Sequence, residues 1–251
     1  MTRAAVFSKL LRLMAGAKTC VIWAGLLTCH AWNDGISQSL LGTTGLVMVP
    51  TAELIRDGEV YFGTAAGNKK YNRWMPGKYH HFSYYATIGF LPFLEVSLRL
   101  IRNFDYPRGV GLGDRTTAVR LRAIKEKKYA PSIVLGFHDC LSAFEDPSVI
   151  YQNALYIVGS KNIRLGKGPS RIGMHLGYGT DRMKARRHQF VGLFGGVSVE
   201  VNPMITLMIE HDSERFNGGA ALHFLKHVHL QVALMHFDSF AAGLTYAFSL
   251  Q

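Results

Sequence analysis

Short runs in which apolar and polar residues alternate recur from about residue 59 to the end of the chain, and they constrain its fold more than any other feature. The segment 94–100 reads Leu-Glu-Val-Ser-Leu-Arg-Leu, and 240–250 reads Phe-Ala-Ala-Gly-Leu-Thr-Tyr-Ala-Phe-Ser-Leu. A period of two places successive side chains on opposite faces of a β-strand. The predicted strands, about twelve, span 59–67, 79–90, 94–103, 116–125, 131–139, 151–160, 170–179, 189–201, 204–212, 217–225, 228–237 and 239–250.

The composition of the two strand faces distinguishes a soluble sandwich from a membrane barrel. A sandwich exposes a face of charged and long polar residues to water, but here the second face is rich in Gly, Ser, Thr and Ala. The apolar face carries aromatic residues near strand ends, such as Phe82, Phe90, Phe240 and Phe248. Aromatic girdles around an apolar band, with closure of the sheet, are typical of proteins that cross a bilayer with strands. We therefore predict a transmembrane up-and-down antiparallel β-barrel.

The connections between the predicted strands alternate between short and long. Residues 91–93, 202–203 and 226–227 form tight connections, whereas the connections near 104–115, 140–150 and 180–188 are longer. Membrane barrels have short periplasmic turns and longer outer loops, so this pattern predicts an up-and-down meander in the bacterial outer membrane.

The N-terminus has the layout of a secretory signal peptide. Basic residues begin the chain without any acidic residue before Asp34, an apolar run covers 20–27, and small residues precede Ala31. That apolar run is too short for a transmembrane helix. We predict a signal peptide over 1–31, with lipid attachment at Cys29 as the second option. A plug or mouth segment would then occupy 32–58, and the barrel 59–251.

Charge and cysteine content limit the partners of the secreted protein. Residues 1–31 hold four of the 28 Lys and Arg residues and none of the 17 Asp and Glu residues, so removing them lowers the formal net charge from +11 to +7. A secreted barrel with this excess is expected to meet anionic lipid headgroups or acidic polysaccharide and not nucleic acid. Only Cys140 lies outside the signal segment, so an intramolecular disulfide is not expected.

Several motifs, in a consistent order over roughly 42–220, resemble one family. They include Gly-Thr-Thr-Gly-Leu-Val-Met-Val-Pro-Thr-Ala at 42–52, Asp-Gly-Glu at 57–59, Asp-Arg at 114–115, Val-Arg-Leu-Arg at 119–122, Tyr-Ala-Pro-Ser-Ile-Val-Leu-Gly-Phe-His-Asp at 129–139, Gly-Ser-Lys at 159–161, and Glu210 and Asp212 with Asn217. The chain resembles the YjbH-like exopolysaccharide-biosynthesis outer-membrane proteins, although better-known members are longer and have a second barrel. The resemblance implies a part in the biogenesis or export of an exopolysaccharide or capsule at the outer membrane.

If the apolar residues face lipid, the polar ones in between face the lumen, because a basic residue at mid-bilayer costs about 2–4 kcal/mol. The lumen candidates are Glu95, Arg99, Arg120, Arg122, His175, Glu200, Glu210, Asp212, His229 and Gln231. We expect Glu210 and Asp212 to pair with arginines such as Arg99, Arg120 or Arg122. Such a lining predicts either a narrow or gated pore for a hydrated sugar chain or a sealed structural subunit that binds other envelope export proteins.

The segment before the first strand is interrupted by Gly and Pro. Residues 50–55 are expected to form a short helix with Thr51 as its N-cap. The segment either folds into the lumen as a plug or packs at the mouth of the barrel.

Catalytic and metal-binding patterns are weak. No serine lies in a recognisable nucleophile motif. His227 and His229 share a strand face, but no Asp, Glu or Cys at ligand spacing completes a metal site. We therefore expect neither an enzyme nor a cofactor or metal.

Overall fold

The computed structural model describes residues 37–70, 73–74, 77–104, 115–141, 152–166, 170–183, 187–224 and 227–250. The predicted signal peptide lies outside these residues. Twelve long strands alternate in direction along the chain, which confirms the predicted number. They are β1 Glu59–Gly67, β2 His81–Gly89, β3 Leu94–Asn103, β4 Arg115–Ile124, β5 Ser132–His138, β6 Gln152–Arg164, β7 Arg171–Thr180, β8 Gly192–Asn202, β9 Ile205–His211, β10 Phe216–Phe224, β11 Val228–Met235 and β12 Ser239–Ser249.

The sheet closes on itself. Each strand pairs antiparallel with its neighbours in sequence, and β12 returns to β1 in a register that runs from Glu59 opposite Ser249 to Ala66 opposite Ala242. An antiparallel barrel with an even number of strands begins and ends at the same rim. We call the rim that holds Glu59 and Ser249 the terminal rim and the opposite one the far rim.

The longest connections lie at the far rim, and those at the terminal rim are shorter. At the terminal rim the connections are 90–93, 125–131, 165–170, 203–204 and 225–227. At the far rim they are 68–80, 104–114, 139–151, 181–191, 212–215 and 236–238. Two-residue strands lie in far-rim connections: Arg73–Trp74 pairs with Gly77–Lys78, and Arg187–His188 pairs with the first residues of β6.

The outer wall of the barrel is apolar. Leucine, isoleucine and valine project from its middle, as at Leu176, which is 65% exposed, and aromatic side chains cluster toward both rims. Exposed aromatics near the terminal rim include Phe62, Phe90, Phe93, Phe224 and Tyr246, and those near the far rim include Tyr84, Phe104, Phe216, Phe237 and Phe240. An apolar band between aromatic girdles is the surface of a transmembrane barrel.

The inner wall combines small residues with buried polar groups. Ser83, Thr87, Ser97, Ala118 and Ala221 are among its buried residues. These short side chains leave room in the lumen, and residues 37–56 occupy it. No helix among the described residues is long and apolar enough to span a membrane.

Candidate functional site: the plugged lumen

Residues 37–56, which we call the plug, fold into the barrel in two tight reversals. Isolated bridges join Gln38 to Thr44 and Gly45 to Pro50. Gly42 has a φ of +85°, and a Cβ there would lie 2.6 Å from the Cβ of Tyr85 on the wall. Glycine at 42 therefore allows both the left-handed backbone and the close approach to the wall.

The helix predicted over 50–55 is absent, and that prediction was wrong. The amide of Ala52 donates to Ser160 Oγ at 2.7 Å, and the amide of Ile55 donates to Glu95 Oε2 at 3.2 Å. Thr51 Oγ1 accepts a local 3.4 Å hydrogen bond from the amide of Glu53. Side chains of the wall thus accept hydrogen bonds from backbone amides of the plug in place of a helical turn.

Glu210, a buried residue of β9, holds the second reversal of the plug. Its carboxylate accepts hydrogen bonds from three consecutive amides, those of Val47, Met48 and Val49, at 2.8–3.0 Å. Asn217 Nδ2 donates to the same carboxylate at 3.0 Å. The expected pairing of Glu210 with an arginine was therefore wrong, because the plug backbone supplies the donors.

Glu95 and Arg120 form a second anchor. Both side chains are fully buried, and Arg120 Nη1 lies 2.7 Å from Glu95 Oε1. Glu95 also accepts from the amide of Thr44 at 3.1 Å and from its hydroxyl at 2.5 Å. Arg120 Nη2 donates to the carbonyls of Thr51 and Glu53. This buried ion pair is completed by the plug, which supplies the partners that a buried charge requires.

A chain of hydroxyl and imidazole groups forms the third anchor. Ser132 Oγ donates to the carbonyl of Ala52 at 2.8 Å, while Ser160 accepts the amide of that residue. Ser160 Oγ lies 2.7 Å from His175 Nδ1, and His175 Nε2 lies 3.2 Å from Ser198 Oγ. His175 is among the lumen residues predicted from the sequence. Ser132 and Ser160 are not among them, although their inward position in the alternation was the available signal.

Apolar contacts cover both sides of the plug. Leu40, Leu46 and Val47 pack against one wall cluster, and Leu41, Val49, Ala52 and Leu54 pack against another. The wall residues of the first cluster are Ala65, Tyr85, Met208, Ala221, Ala233, Met235 and Ala241; those of the second are Val134, Ala154, Tyr156, Val158, Phe190 and Phe194. A cavity of about 120 Å³ remains between the plug and the wall, lined in part by Leu40, Met48 and Arg99.

The other predicted lumen residues occupy different places. Arg99 is buried beside the plug cavity. Arg122 is half-buried near the terminal rim and donates to the carbonyl of Pro92. Asp212 lies one residue beyond the end of β9, where it accepts from the amide of Arg215 and from Asn217 Nδ2, and not from Arg99, Arg120 or Arg122.

Glu200 belongs to a charged cluster around the side chain of Glu53. Arg171 lies 3.1 Å from Glu200 and 4.0 Å from Glu53, and Asn162 donates to Glu53 at 2.9 Å. Burial is the largest influence on the pKa of Glu53 and raises it above 4.5, against the lowering effects of Arg171 and Asn162. The negative charges of Glu126 and Glu200 act in the same direction as burial.

Histidines of the lumen pair with each other. The Nδ1 atoms of His223 and His229 are 2.6 Å apart, while His227 contacts the carbonyl of Ala247. Gln231 donates to the carbonyl of Leu46 in the plug at 2.8 Å. In the parts of the chain that the structure describes, no three His, Cys, Asp or Glu side chains are arranged to hold a metal ion.

Comparisons with known proteins identify a family for this chain and two solved structures to which it is similar. The YjbH family model, described as "Exopolysaccharide biosynthesis protein YbjH", matches residues 37–251. No curated protein matches the sequence. Among solved structures, the chain is similar to the outer membrane protein Omp33 of Acinetobacter baumannii, with 9% identity, a TM-score of 0.45 and coverage of 77% of this chain and 98% of that one. It is also similar to the COG4313 outer membrane channel of Pseudomonas putida F1, with 13% identity, a TM-score of 0.39 and coverage of 80% and 98%.

Proposed function

Because this chain belongs to the YjbH family of exopolysaccharide biosynthesis proteins, we propose that it is an outer-membrane barrel that takes part in the biogenesis or export of an exopolysaccharide. In this proposal the plug gates a narrow path through the lumen. The partners are outer-membrane lipids, the polysaccharide and other envelope export proteins, and no enzymatic activity is assigned.

The carboxylate of Glu210 on three plug amides is the observation that carries the gating proposal. In this proposal the attachment of the plug is reversible, because hydrogen bonds and apolar contacts hold it to the wall. Among the described residues, no covalent link joins the plug to the wall. If the plug left, the polar groups that hold it would line the lumen. They include the carboxylates of Glu95 and Glu210, the hydroxyls of Ser132 and Ser160, and the amide of Gln231, all groups that hydrogen-bond to water or to sugar hydroxyls.

Conductance in planar bilayers tests the proposal. The full chain is expected to conduct weakly, and a variant lacking residues 34–56 is expected to conduct more. Twelve strands enclose more space than the eight-stranded barrels whose interior side chains just fill. The deletion variant must first show the circular dichroism of a β-protein and heat-modifiable mobility on gels, so that its barrel is known to be closed.

A reversible tether is the matched control for the deletion. A Cβ added at Gly219 would lie 2.7 Å from Cγ2 of Val47, so Val47→Cys with Gly219→Cys, in a Cys140→Ser background, places two thiols within reach of a disulfide. The oxidised tether should hold conductance at its lowest level, and reduction should return it to that of the untethered protein. Equal conductance before and after reduction would contradict gating by the plug.

A structural or partner-binding subunit without an open pore is the second candidate. The two apolar clusters that bury both sides of the plug favour it, because they resemble the core of a domain that does not open. Absence of conductance in both the full chain and the deletion variant, with export of polysaccharide by cells still dependent on the protein, would support this candidate over the gated path.

Location is tested separately. The mature protein is expected to fractionate with the outer membrane and to migrate faster on gels before heating than after it, because a closed barrel resists detergent. Recovery as a soluble periplasmic protein would overturn the proposed location.

A further inference from the structure

Two arginines project from the outer wall near the far rim, on neighbouring strands. The buried Arg99 of β3 and Arg120 of β4 mark inward positions. Arg102 is three residues after Arg99, and Arg115 is five residues before Arg120. Both arginines therefore face outward, and both are exposed. Arg115 is opposite Leu100 in the antiparallel ladder. Arg102 is therefore its diagonal neighbour, at a backbone separation of about 7–8 Å, which long side chains bridge.

Aromatic rings hold one of these guanidinium groups at the girdle. The guanidinium carbon of Arg102 lies 5.7 Å from the centre of the Phe104 ring. Phe104 packs edge-on against Phe82 with ring centres 5.7 Å apart, and Tyr84 lies 6.1 Å beyond Phe82. This row of rings places Arg102 at the level where headgroups meet acyl chains.

The charge of these two arginines is not neutralised by a neighbouring carboxylate in the described residues. Other cations near the rims do have carboxylate partners: Lys161 is 3.0 Å from Glu126, Arg171 is 3.1 Å from Glu200, and Lys70 pairs with Asp238. Among the described residues, Arg102 and Arg115 therefore form a cationic pair on the outer wall.

A phosphorylated lipid matches this arrangement. Arginine presents forked donors that suit the oxygens of a phosphate group, and these two arginines stand at diagonal positions on neighbouring strands. Below them, Tyr84 and Leu98 offer an exposed apolar surface to acyl chains. The longer connections place the far rim on the outer side of the membrane.

We propose that Arg102 and Arg115, supported by Phe104, bind the phosphate of a phosphorylated glycolipid in the outer leaflet. Such a lipid would fix the depth and rotation of the barrel beside β3 and β4. The site lies on the outer wall and does not depend on whether the lumen opens.

Native mass spectrometry of the full chain in detergent tests this site with lipid A that carries two phosphates and with the same lipid A stripped of phosphate. The wild-type protein should retain the phosphorylated form and lose the other. Arg102→Gln with Arg115→Gln should reduce the retained fraction at least roughly tenfold, since both charge-assisted contacts are lost. Phe104→Leu keeps both charges and should reduce retention roughly two- to fivefold.

Arg182→Gln is the matched control, because Arg182 is another exposed arginine at the far rim. It should retain phosphorylated lipid A as the wild type does, and all variants must keep heat-modifiable mobility. Inorganic phosphate at millimolar concentration should not displace the lipid, because it lacks acyl chains. Equal retention by the double variant and the wild type, or displacement by inorganic phosphate alone, would overturn the proposal.

Discussion

Glu210 shows how one side chain organises a segment far from it in sequence. Replacement by Ala would leave the amides of Val47, Met48 and Val49 without their acceptor in a buried place, at a cost of about 1–3 kcal/mol for each donor that finds no water. We expect Glu210→Ala to accelerate hydrogen exchange of these amides strongly and Glu210→Gln to do so less, since the amide oxygen still accepts. Glu214→Ala, at an exposed residue of the far rim, is the control; unchanged exchange in Glu210→Ala would refute the anchor.

Substitutions in the Glu95–Arg120 pair should affect barrel stability differently from substitutions at Glu210, because each partner of the pair is buried beside an opposite charge. Glu95→Gln or Arg120→Met alone should lower barrel stability by about 3–5 kcal/mol, since the remaining charge loses its partner. The double variant should lose less than the sum of the single losses. The temperature at which the compact gel form disappears measures this coupling, and additive losses would show that the two residues act independently.

Glycine at position 42 avoids two separate costs, backbone strain and a steric collision. Gly42→Ala adds left-handed backbone strain and a collision with Tyr85, whereas Gly166→Ala adds strain alone, because its φ is +67° and no atom lies near the added Cβ. We expect the Gly42 variant to lower the free energy of unfolding by more than the roughly 1 kcal/mol expected for strain at Gly166. Denaturant titration of both variants measures the difference; equal losses would mean that Tyr85 moves aside at no cost.

The stability of the folded protein, including the plug, should depend on pH through Glu53. Burial raises the pKa of Glu53 above 4.5, so between 4.5 and that raised pKa the folded state binds more protons than the unfolded state. Stability then falls as pH rises through this window. We expect the stability difference between wild type and Glu53→Gln to change in that window and to be flat above it. Thermal melting of both proteins at a series of pH values measures this difference, and a difference that stays constant through the window would contradict the prediction.

Strands could be predicted from the sequence, whereas the plug was one of two predicted alternatives and its conformation could not be predicted. The alternation in β3 and β12 can be seen within each strand, because successive side chains face lipid and the lumen in turn. The amides of Ala52 and Ile55 bond instead to Ser160 and Glu95, which are distant in sequence. Helix propensity at 50–55 cannot reveal such partners, so tertiary contacts overrode it.

The same limit applies to the site. Inward polar residues such as Glu95 and Glu210 follow from the alternation, but their partners do not. Glu210 was expected to meet a cation, and it meets backbone N–H groups of the plug. A carboxylate can be satisfied by either kind of donor, and the sequence does not distinguish them until the path of the plug is known.

For the whole molecule, closure at the seam between β1 and β12 is the condition on which the lumen, the plug and the outer wall all depend. Tyr246 lies within this seam on the side of the terminal rim, opposite Phe62 of β1 and Val228 of β11. Proline there would remove a ladder N–H and clash with the neighbouring strand. In hydrocarbon the unpaired groups cost several kcal/mol each.

We therefore expect Tyr246→Pro to abolish the fast-migrating form on unheated gels and to leave the protein sensitive to protease. Tyr246→Ala removes the same side chain but keeps the backbone donor, so it should still close, with a lower melting temperature because an aromatic girdle residue is lost. Since the plug docks on the inner wall of a closed sheet, hydrogen exchange of residues 37–56 should become fast in the proline variant and stay slow in the alanine variant. A proline variant that migrates and exchanges like the wild type would mean that the barrel does not depend on this seam.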